Sequence, residues 1–524
     1  MNIITNIIYF ITKQNINIVL SLIGKMNTLI TTINVNNFLN VYNQIDPIKN
    51  NYSWYNRLLR YFIAKKPTYL HILDKKDYLY IYDTLTIADL SFIIFNSYRY
   101  FFNKSLIFLN LNKKWSCNIA PEKAGEINDQ DRQNYINYLI KDIDKPQNYP
   151  DNLITFKGID WFVNYGLYCF DLIERECEYF IIDTTFMNNF EMKEDCDNIG
   201  CKAYFNLTTD GFELIKIQYN CKIYNRSDTS DNNIYTALYA LYASIITYVT
   251  IGSHFTQSHY LISTRITQLN RRLLDENHPI RKILLPTEFN TLQVMKNALL
   301  SLITDDSNSN LYYMFNFTDN GIKEIIKDYI NKYKYDSINY VGDNFMSKLK
   351  LTDKELTYKP INSYYKWYNI IKTFSYDFTN NLSETEINQL NDWIIAVYPD
   401  SKLEKKIIIQ RIIGGMYYEQ IKHKMMSNPS LLYYVPKHIP ILQKDKNNKY
   451  YYTLLNQYIS ISTLNATQLT LPEITMDLSF LIDNDKLKKI YKKFYDDINT
   501  LDLSWLCEDI QLIKPDDIDI STGV

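Results

Sequence analysis

The sequence predicts a mainly α protein with a minor β-hairpin component. Several segments carry apolar residues at helical spacing over ten or more positions, and most lack internal proline. One pair of strands is indicated between Cys201 and Tyr219, around a turn that contains Asp210-Gly211. The predicted helices are Trp54–Ala64, Thr84–Phe102, Tyr235–Ile251, Phe289–Ile303, Leu403–Met426 and Leu487–Ile498.

The composition is that of a large globular protein and argues against several functions. The chain has 524 residues, of which 46% are hydrophobic and 22% charged, with a formal net charge of −2. Because no basic stripe is present, nucleic acid is not a predicted partner. The seven cysteines show no C-x-x-C spacing, which favours reduced thiols and a cytoplasmic location.

The N-terminal part carries no recognisable motif. We predict that residues 1–150 form a mostly helical region of uncertain role and that residues 151–524 form a second, larger domain. The isoleucine-rich stretch Met1–Lys25 is interrupted by polar residues and is too short to span a bilayer, and it lacks the features of a signal peptide. A peripheral membrane contact by this stretch is the alternative to an ordinary N-terminal helix.

Two histidines follow the predicted helix Tyr235–Ile251, on a segment that reads as its buried helical continuation. His254 and His259 are five residues apart. In a regular α-helix that spacing rotates the second ring by roughly 140° from the first. Both rings reach one point only if the helix widens to a π-turn, a feature often found at functional sites. With such a turn, two neutral imidazoles suggest a site for iron, zinc, copper or nickel, whereas without it they are ordinary core or surface histidines.

The order of motifs around these histidines resembles the lipoxygenase family. The segment His254–His259 reads H-F-T-Q-S-H, and His278–Leu284, nineteen residues further on, reads H-P-I-R-K-I-L. The family carries H-[apolar]-x-x-[ST]-H followed at a similar distance by H-P-[IL]-x-K-L-L. The resemblance implies that His254 and His259 bind a metal and that His278 has a structural role.

The resemblance also implies a third histidine ligand on a second core helix. His423 lies on the predicted helix Leu403–Met426, whereas His438 lies between prolines in a downstream loop similar to the family's I-P-N-x-P. We therefore choose His423. A weaker ligand is expected one turn later, where Ser427 stands, with Asn428 as the alternative. A helix-ending role explains Ser427 equally well.

Two further site residues are implied. The tail Pro515–Val524 has the spacing of the family's C-terminal P-x-x-[IV]-P-N-S-x-x-[IV], although Asp519-Ile520 replaces the usual Pro-Asn. In the family the terminal carboxylate binds the metal, so Val524 is the expected ligand. Lys296 stands near where some relatives place a basic residue for the fatty-acid carboxylate, and a solvated lysine is the alternative.

The resemblance implies that residues 151–524 form a large lipoxygenase-like helical catalytic domain around two long core helices. Residues 1–150 show no alternating strand pattern long enough for the N-terminal β-sandwich that many lipoxygenases carry, so we expect none. The implied function is dioxygenation of polyunsaturated fatty acids by O2 to give lipid hydroperoxides. The implied cofactor is non-heme iron, with manganese as the alternative, and we expect a monomer. The competing interpretations are a metal-free pseudoenzyme that binds lipid or a protein partner, and an unrelated helical interaction protein.

The tail predicts the effect of changes at the C-terminus. A tag added after Val524, or deletion of Val524, should abolish activity and lower metal occupancy, because the expected ligand is the terminal carboxylate itself. Val524→Ile should retain both, since the coordinating atoms belong to the main chain. Metal analysis and oxygen uptake on the three variants test this. A tagged protein with full metal content would exclude the terminus as a ligand.

Overall fold

The structure is a computed structural model that describes most of the second half of the chain and a stretch before it. The predicted helices Trp54–Ala64 and Thr84–Phe102 and the expected absence of a β-sandwich concern residues outside the described part. The described residues are 145–146, 148–227, 233–275, 277–288, 291, 295, 311, 314–332, 348–399, 401–427, 433–435, 437–444, 474–475, 477, 479–501, 518 and 521–522.

The predicted hairpin is present and belongs to a larger antiparallel sheet with strand order β1-β2-β3-β4-β5. The hairpin turn connects the third and fourth strands, whose last pair is Thr208 with Gly211. The backbone φ of Gly211 is +120°. Glycine is required there because other residues rarely adopt this conformation. Asn164 fastens the turn by exchanging two hydrogen bonds of 2.8 Å with the backbone of Phe212. The strands are β1 Ile173–Glu176, β2 Tyr179–Asp183, β3 Lys202–Thr208, β4 Gly211–Tyr219 and β5 Lys222–Asn225.

The rest of the described chain is mainly helical, as predicted. Sequence signals mark the start of several helices. Ser383 and Glu386 form a capping box, and Asn484 accepts hydrogen bonds from the first turn of the helix Asp485–Asn499. The α-helices are α1 Phe156–Trp161, α2 Ile234–Tyr248, α3 Arg265–Leu273, α4 Pro279–Leu284, α5 Asp319–Lys332, α6 Ile361–Asn380, α7 Glu384–Gln389, α8 Asn391–Val397, α9 Lys405–Met426 and α10 Asp485–Asn499. Two segments are π-helical. Phe162–Gly166 continues α1, and Val249–Thr264 joins α2 to α3. Short 3₁₀ turns are Phe170–Leu172, Thr185–Asn189, Leu285–Glu288, Glu355–Thr357 and Ser479–Leu481.

The first core helix consists of α2, the second π segment and α3, which follow one another without a break. By length and composition its portion Ile234–Asn270 could cross a membrane, and it is the one such helix in the described part of the chain. However, 72% of its most apolar window is buried inside the protein, as expected for a core helix. The strand β4 and helices α5 and α9 pack against it.

The second core helix, α9, is buried on almost all sides from Ile408 to Met426. Such all-round burial explains why its sequence shows no clear polar face. Helices α6 and α10 cover one side through aromatic packing. The ring of Phe374 stacks on Phe494 with centroids 4.2 Å apart and meets the edge of Tyr417 at 5.3 Å. These contacts fix the depth of α9 in the core.

The aromatic packing predicts the effect of truncating Phe374. Phe374→Ala should lower the free energy of unfolding by about 3–5 kcal/mol, because it removes a buried ring and leaves a cavity. Tyr376→Ala on the same helix is the matched control, since Tyr376 is 57% exposed and its loss should cost at most about 0.5 kcal/mol. Denaturant unfolding measures both. Equal losses would contradict the proposed role of Phe374 in the core.

Candidate metal centre

The helix that carries His254 and His259 is π-helical, as the five-residue spacing predicted. The π segment extends over sixteen residues, Val249–Thr264, and is therefore much longer than the usual single turn. Side chains follow the same spacing: Thr256 Oγ1 donates to the Ile251 carbonyl at 2.7 Å, and Ser258 Oγ to the Ser253 carbonyl at 3.1 Å. A five-residue repeat returns each side chain to the same face, so both imidazoles point in one direction.

Three histidines meet between the two core helices. Nε2 of His259 lies 3.1 Å from Nε2 of His254 and 3.0 Å from Nε2 of His423, which arrives from the last turn of α9. The ring centroids form a triangle with sides of 4.8, 4.7 and 4.7 Å. His259 and His423 are buried, and His254 is partly exposed. Among the described residues, this is the group of three or more ligating side chains that could hold a metal ion.

The three imidazoles are neutral in this environment. Desolvation lowers the pKa of His254 to about 4, with a further contribution from the charge of Lys422. Desolvation, and then the neighbouring histidines, lower the pKa values of His259 and His423 well below the ordinary value. A neutral imidazole offers a nitrogen lone pair, which is the form that binds metals.

The arrangement of nitrogens fits a metal cation. A neutral imidazole nitrogen either donates or accepts one hydrogen bond, so Nε2 of His259 cannot form good hydrogen bonds with both of its neighbours. A cation between the nitrogens removes this conflict. Imidazole–metal bonds of about 2.1 Å at right angles would place two nitrogens about 3.0 Å apart, close to the separations found here.

Of the other predicted metal-binding and substrate-binding residues, Ser427 lies in the described part of the chain. Ser427 is the residue that caps the C-terminus of α9, and its hydroxyl donates to the His423 carbonyl at 2.8 Å. Lys296, Asn428 and Val524 lie outside the described residues. The C-terminal tail is nevertheless buried at Ser521 and Thr522, just before Val524. The roles of Ser427, Lys296 and Val524 stay predictions.

The two remaining histidines considered in the sequence lie apart from the triangle. His278 caps α4: its Nδ1 accepts from the Ile280 N–H at 3.1 Å, so its Nε2 is the donor to the Glu386 carbonyl at 3.0 Å. His438 lies in the loop after α9, and its carbonyl accepts a hydrogen bond of 2.6 Å from Tyr242. Both contacts are structural.

A buried polar cluster beside the triangle was not found from the sequence. Lys422, which is 2% exposed, forms an ion pair with Asp171 and donates to Oε1 of Gln257 at 3.0 Å. Glu419 is hydrogen-bonded to Ser258 and lies 3.8 Å from the Lys422 ammonium. Burial raises the pKa of Glu419, although Lys422 and Ser258 oppose this. Charged residues on a helix are ordinarily solvated, so only the apolar surroundings of α9 could have indicated this cluster.

Helix α5 reaches the π segment through Tyr329. Its hydroxyl donates to Oε1 of Gln257 at 2.6 Å, so Gln257 joins Tyr329 to Lys422. The ring lies against Gly252, where a Cβ would stand 2.5 Å from two ring carbons. Glycine at this position therefore allows α5 to approach the helix two residues before His254.

Comparisons with known proteins identify the fold. No protein-family profile and no curated protein sequence matches the chain. Among solved structures, Delta413-417:GS LOX is similar with a TM-score of 0.62 and 11% identity, covering 91% of this chain and 83% of that one. Coral 8R-lipoxygenase gives 0.56 and 11%, covering 74% and 70%. Manganese lipoxygenase of Gaeumannomyces graminis gives 0.51 and 12%, covering 66% and 70%. The chain therefore has a lipoxygenase-like fold.

The close approach of Tyr329 predicts the effect of a methyl group at Gly252. Gly252→Ala should lower the free energy of unfolding by about 1–3 kcal/mol, because the Cβ overlaps the ring of Tyr329, which is buried and held by its hydrogen bond to Gln257. The higher helix propensity of alanine, worth up to about 1 kcal/mol, offsets part of this loss.

A double-mutant cycle with Tyr329→Ala is the control. The smaller side chain removes the overlap, so the double variant should lose less stability than the sum of the two single variants. Denaturant unfolding of all four proteins supplies the values. Strict additivity would show that Gly252 and Tyr329 are not in steric contact.

Proposed function

We propose that the protein is a lipoxygenase-like dioxygenase that adds O2 to polyunsaturated fatty acids and forms lipid hydroperoxides. The observation that carries the proposal is the convergence of His254, His259 and His423 between the two core helices of a lipoxygenase-like fold. We propose that these three histidines hold non-heme iron, or manganese as in the Gaeumannomyces graminis neighbour. Ser427 and the carboxylate of Val524 are the proposed further ligands.

The donor set suits this chemistry. Neutral imidazoles and a carboxylate form a nitrogen–oxygen site of the kind that binds iron or manganese. When bound, such a metal supplies the one-electron redox chemistry needed to oxidise a fatty acid before O2 adds. The chain's own residues keep the centre dry: Phe255, Tyr260 and Leu261 next to the histidines are at most 5% exposed. His254 is the least buried of the three histidines, so we propose that substrate approaches the metal centre from the side of His254.

The proposed substrate class follows from the fold and one neighbour. A structure of Delta413-417:GS LOX in complex with arachidonate is also similar to this chain. We propose that this protein likewise binds a long polyunsaturated acyl chain, that Lys296 meets its carboxylate, and that O2 is the second substrate. We further propose that it acts as a cytoplasmic monomer with peripheral access to membrane lipid.

The test combines metal analysis with oxygen uptake. The purified protein, supplied with Fe²⁺ or Mn²⁺, should bind one metal ion and consume O2 with linoleic or arachidonic acid. Loss of a residue that only supports a metal ligand usually weakens metal binding about 10–100-fold. Because His423 is itself a proposed ligand, His423→Ala should weaken metal binding by more than this, and oxygen uptake should cease. Elemental analysis and an oxygen electrode provide both measurements.

His438→Ala is the matched control. It removes another imidazole whose pKa is lowered by burial, to about 4, but its backbone carbonyl and the hydrogen bond from Tyr242 remain. Metal content and oxygen uptake should therefore stay at the wild-type level. Normal metal binding by His423→Ala would refute the ligand assignment. A wild-type protein that binds metal but oxidises neither acid would point to a pseudoenzyme.

A further inference from the structure

Four separate parts of the chain form a buried polar cluster around the ammonium of Lys422. Asp171 comes from the 3₁₀ turn before β1, Gln257 from the π segment, and Tyr329 from α5, while Lys422 itself lies on α9. Lys422 pairs with Asp171 and donates to Gln257 at 3.0 Å, and Tyr329 donates to the same Gln257 oxygen at 2.6 Å. The cluster therefore cross-links the two core helices through side chains.

The position of this cluster relates it directly to the triangle of histidines. Gln257 is two residues before His259, and Lys422 is one residue before His423. A second bridge joins the same helices, since Ser258 is hydrogen-bonded to Glu419, four residues before His423 on the same face of α9. The two helices are therefore cross-linked within one turn of His259 on the first helix and within about one turn of His423 on α9.

Burying so many charged groups needs an explanation other than stability. A buried ion pair gains little over a well-packed apolar pair, because desolvation of both charges opposes their attraction. Directional polar contacts do, however, hold the two helices at one separation and in one relative rotation. That separation determines whether Nε2 of His423 lies 3.0 Å from Nε2 of His259.

We propose that Lys422 is a positioning residue for the metal centre: by bridging Asp171 and Gln257 it holds α9 against the π segment in the register at which the three histidines share one ion. The inference rests on the proposed metal-binding function. Lys422 does not belong to the ligand set and acts through His423 and His259.

Electrostatics and positioning make opposite predictions for this residue. The charge of Lys422 lowers the pKa of His254 and would equally repel a cation placed among the histidines. If charge were its only effect, removing Lys422 would strengthen metal binding. If it positions the helices, removing it weakens binding. Replacing Lys422 together with its partner Asp171 leaves the net charge of the protein unchanged, and weaker metal binding by this variant reports the positioning effect.

The experiment uses Co²⁺ as the probe, because its visible absorption reports the geometry of its ligands. Lys422→Met/Asp171→Asn should bind Co²⁺ about 10–100-fold more weakly than wild type, the range typical for outer partners of metal ligands, and its absorption spectrum should change. A purely structural role would lower the unfolding temperature without changing either measurement.

The matched control is Arg281→Met/Glu288→Gln, a charge-neutral replacement of another buried ion pair whose side chains are 5% and 0% exposed. This pair is joined to Asn270, eleven residues beyond His259 and hence about 15 Å along the helix. The control should keep the Co²⁺ affinity within about threefold of wild type and the wild-type spectrum, even where its unfolding temperature falls.

The outcomes separate the two proposals. A wild-type protein that binds no Co²⁺ overturns the proposed function itself, and the role of Lys422 with it. A wild-type protein that binds Co²⁺, with the Lys422 double variant binding it equally well, overturns only the positioning role. If that double variant does not fold, Gln257→Met removes the same cross-link without changing a charge and should weaken binding in the same direction; unchanged affinity there also overturns the positioning role.

Discussion

The candidate metal centre depends on the π-helical geometry of the first core helix. In a regular α-helix His254 and His259 would point about 140° apart, and His423 could meet only one of them. Widening the helix from Val249 to Thr264 aligns both rings on the side that faces α9. A long π-helix is uncommon, because i→i+5 hydrogen bonding occurs mostly as single turns inside α-helices. Here, side-chain hydrogen bonds that span five residues and the packing of Tyr329 against Gly252 support it.

The immediate surroundings combine an apolar shell with a confined polar cluster. Desolvation keeps the three imidazoles neutral, and neutral nitrogens at about 3 Å are stable only with a cation or a proton between them. The same low polarity would make isolated charges very costly. The charges near the centre are accordingly gathered around Lys422, where Asp171 and Glu419 supply compensating carboxylates.

The packing around α9 determines the position of His423 relative to the first core helix. Helix α9 is enclosed by the first core helix, by α6 and by the aromatic contacts of Phe374 and Phe494, so it has little freedom to slide or rotate. This packing requires apolar residues of suitable volume rather than particular identities. The low identity of 11–14% to lipoxygenases of similar fold agrees with that principle.

The sequence by itself determined the mainly α class, the turn at Gly211, the need for a π-turn at His254 and His259, and the choice of His423, because these depend on local periodicity, turn chemistry and motif order. It did not reveal the five-stranded sheet, whose outer strands are too short to show alternation. Nor did it reveal the full length of the π segment or the role of Lys422. Only the tertiary structure decided those, because a lysine can be buried in α9 only when carboxylates and amides from distant parts of the chain fold around its charge.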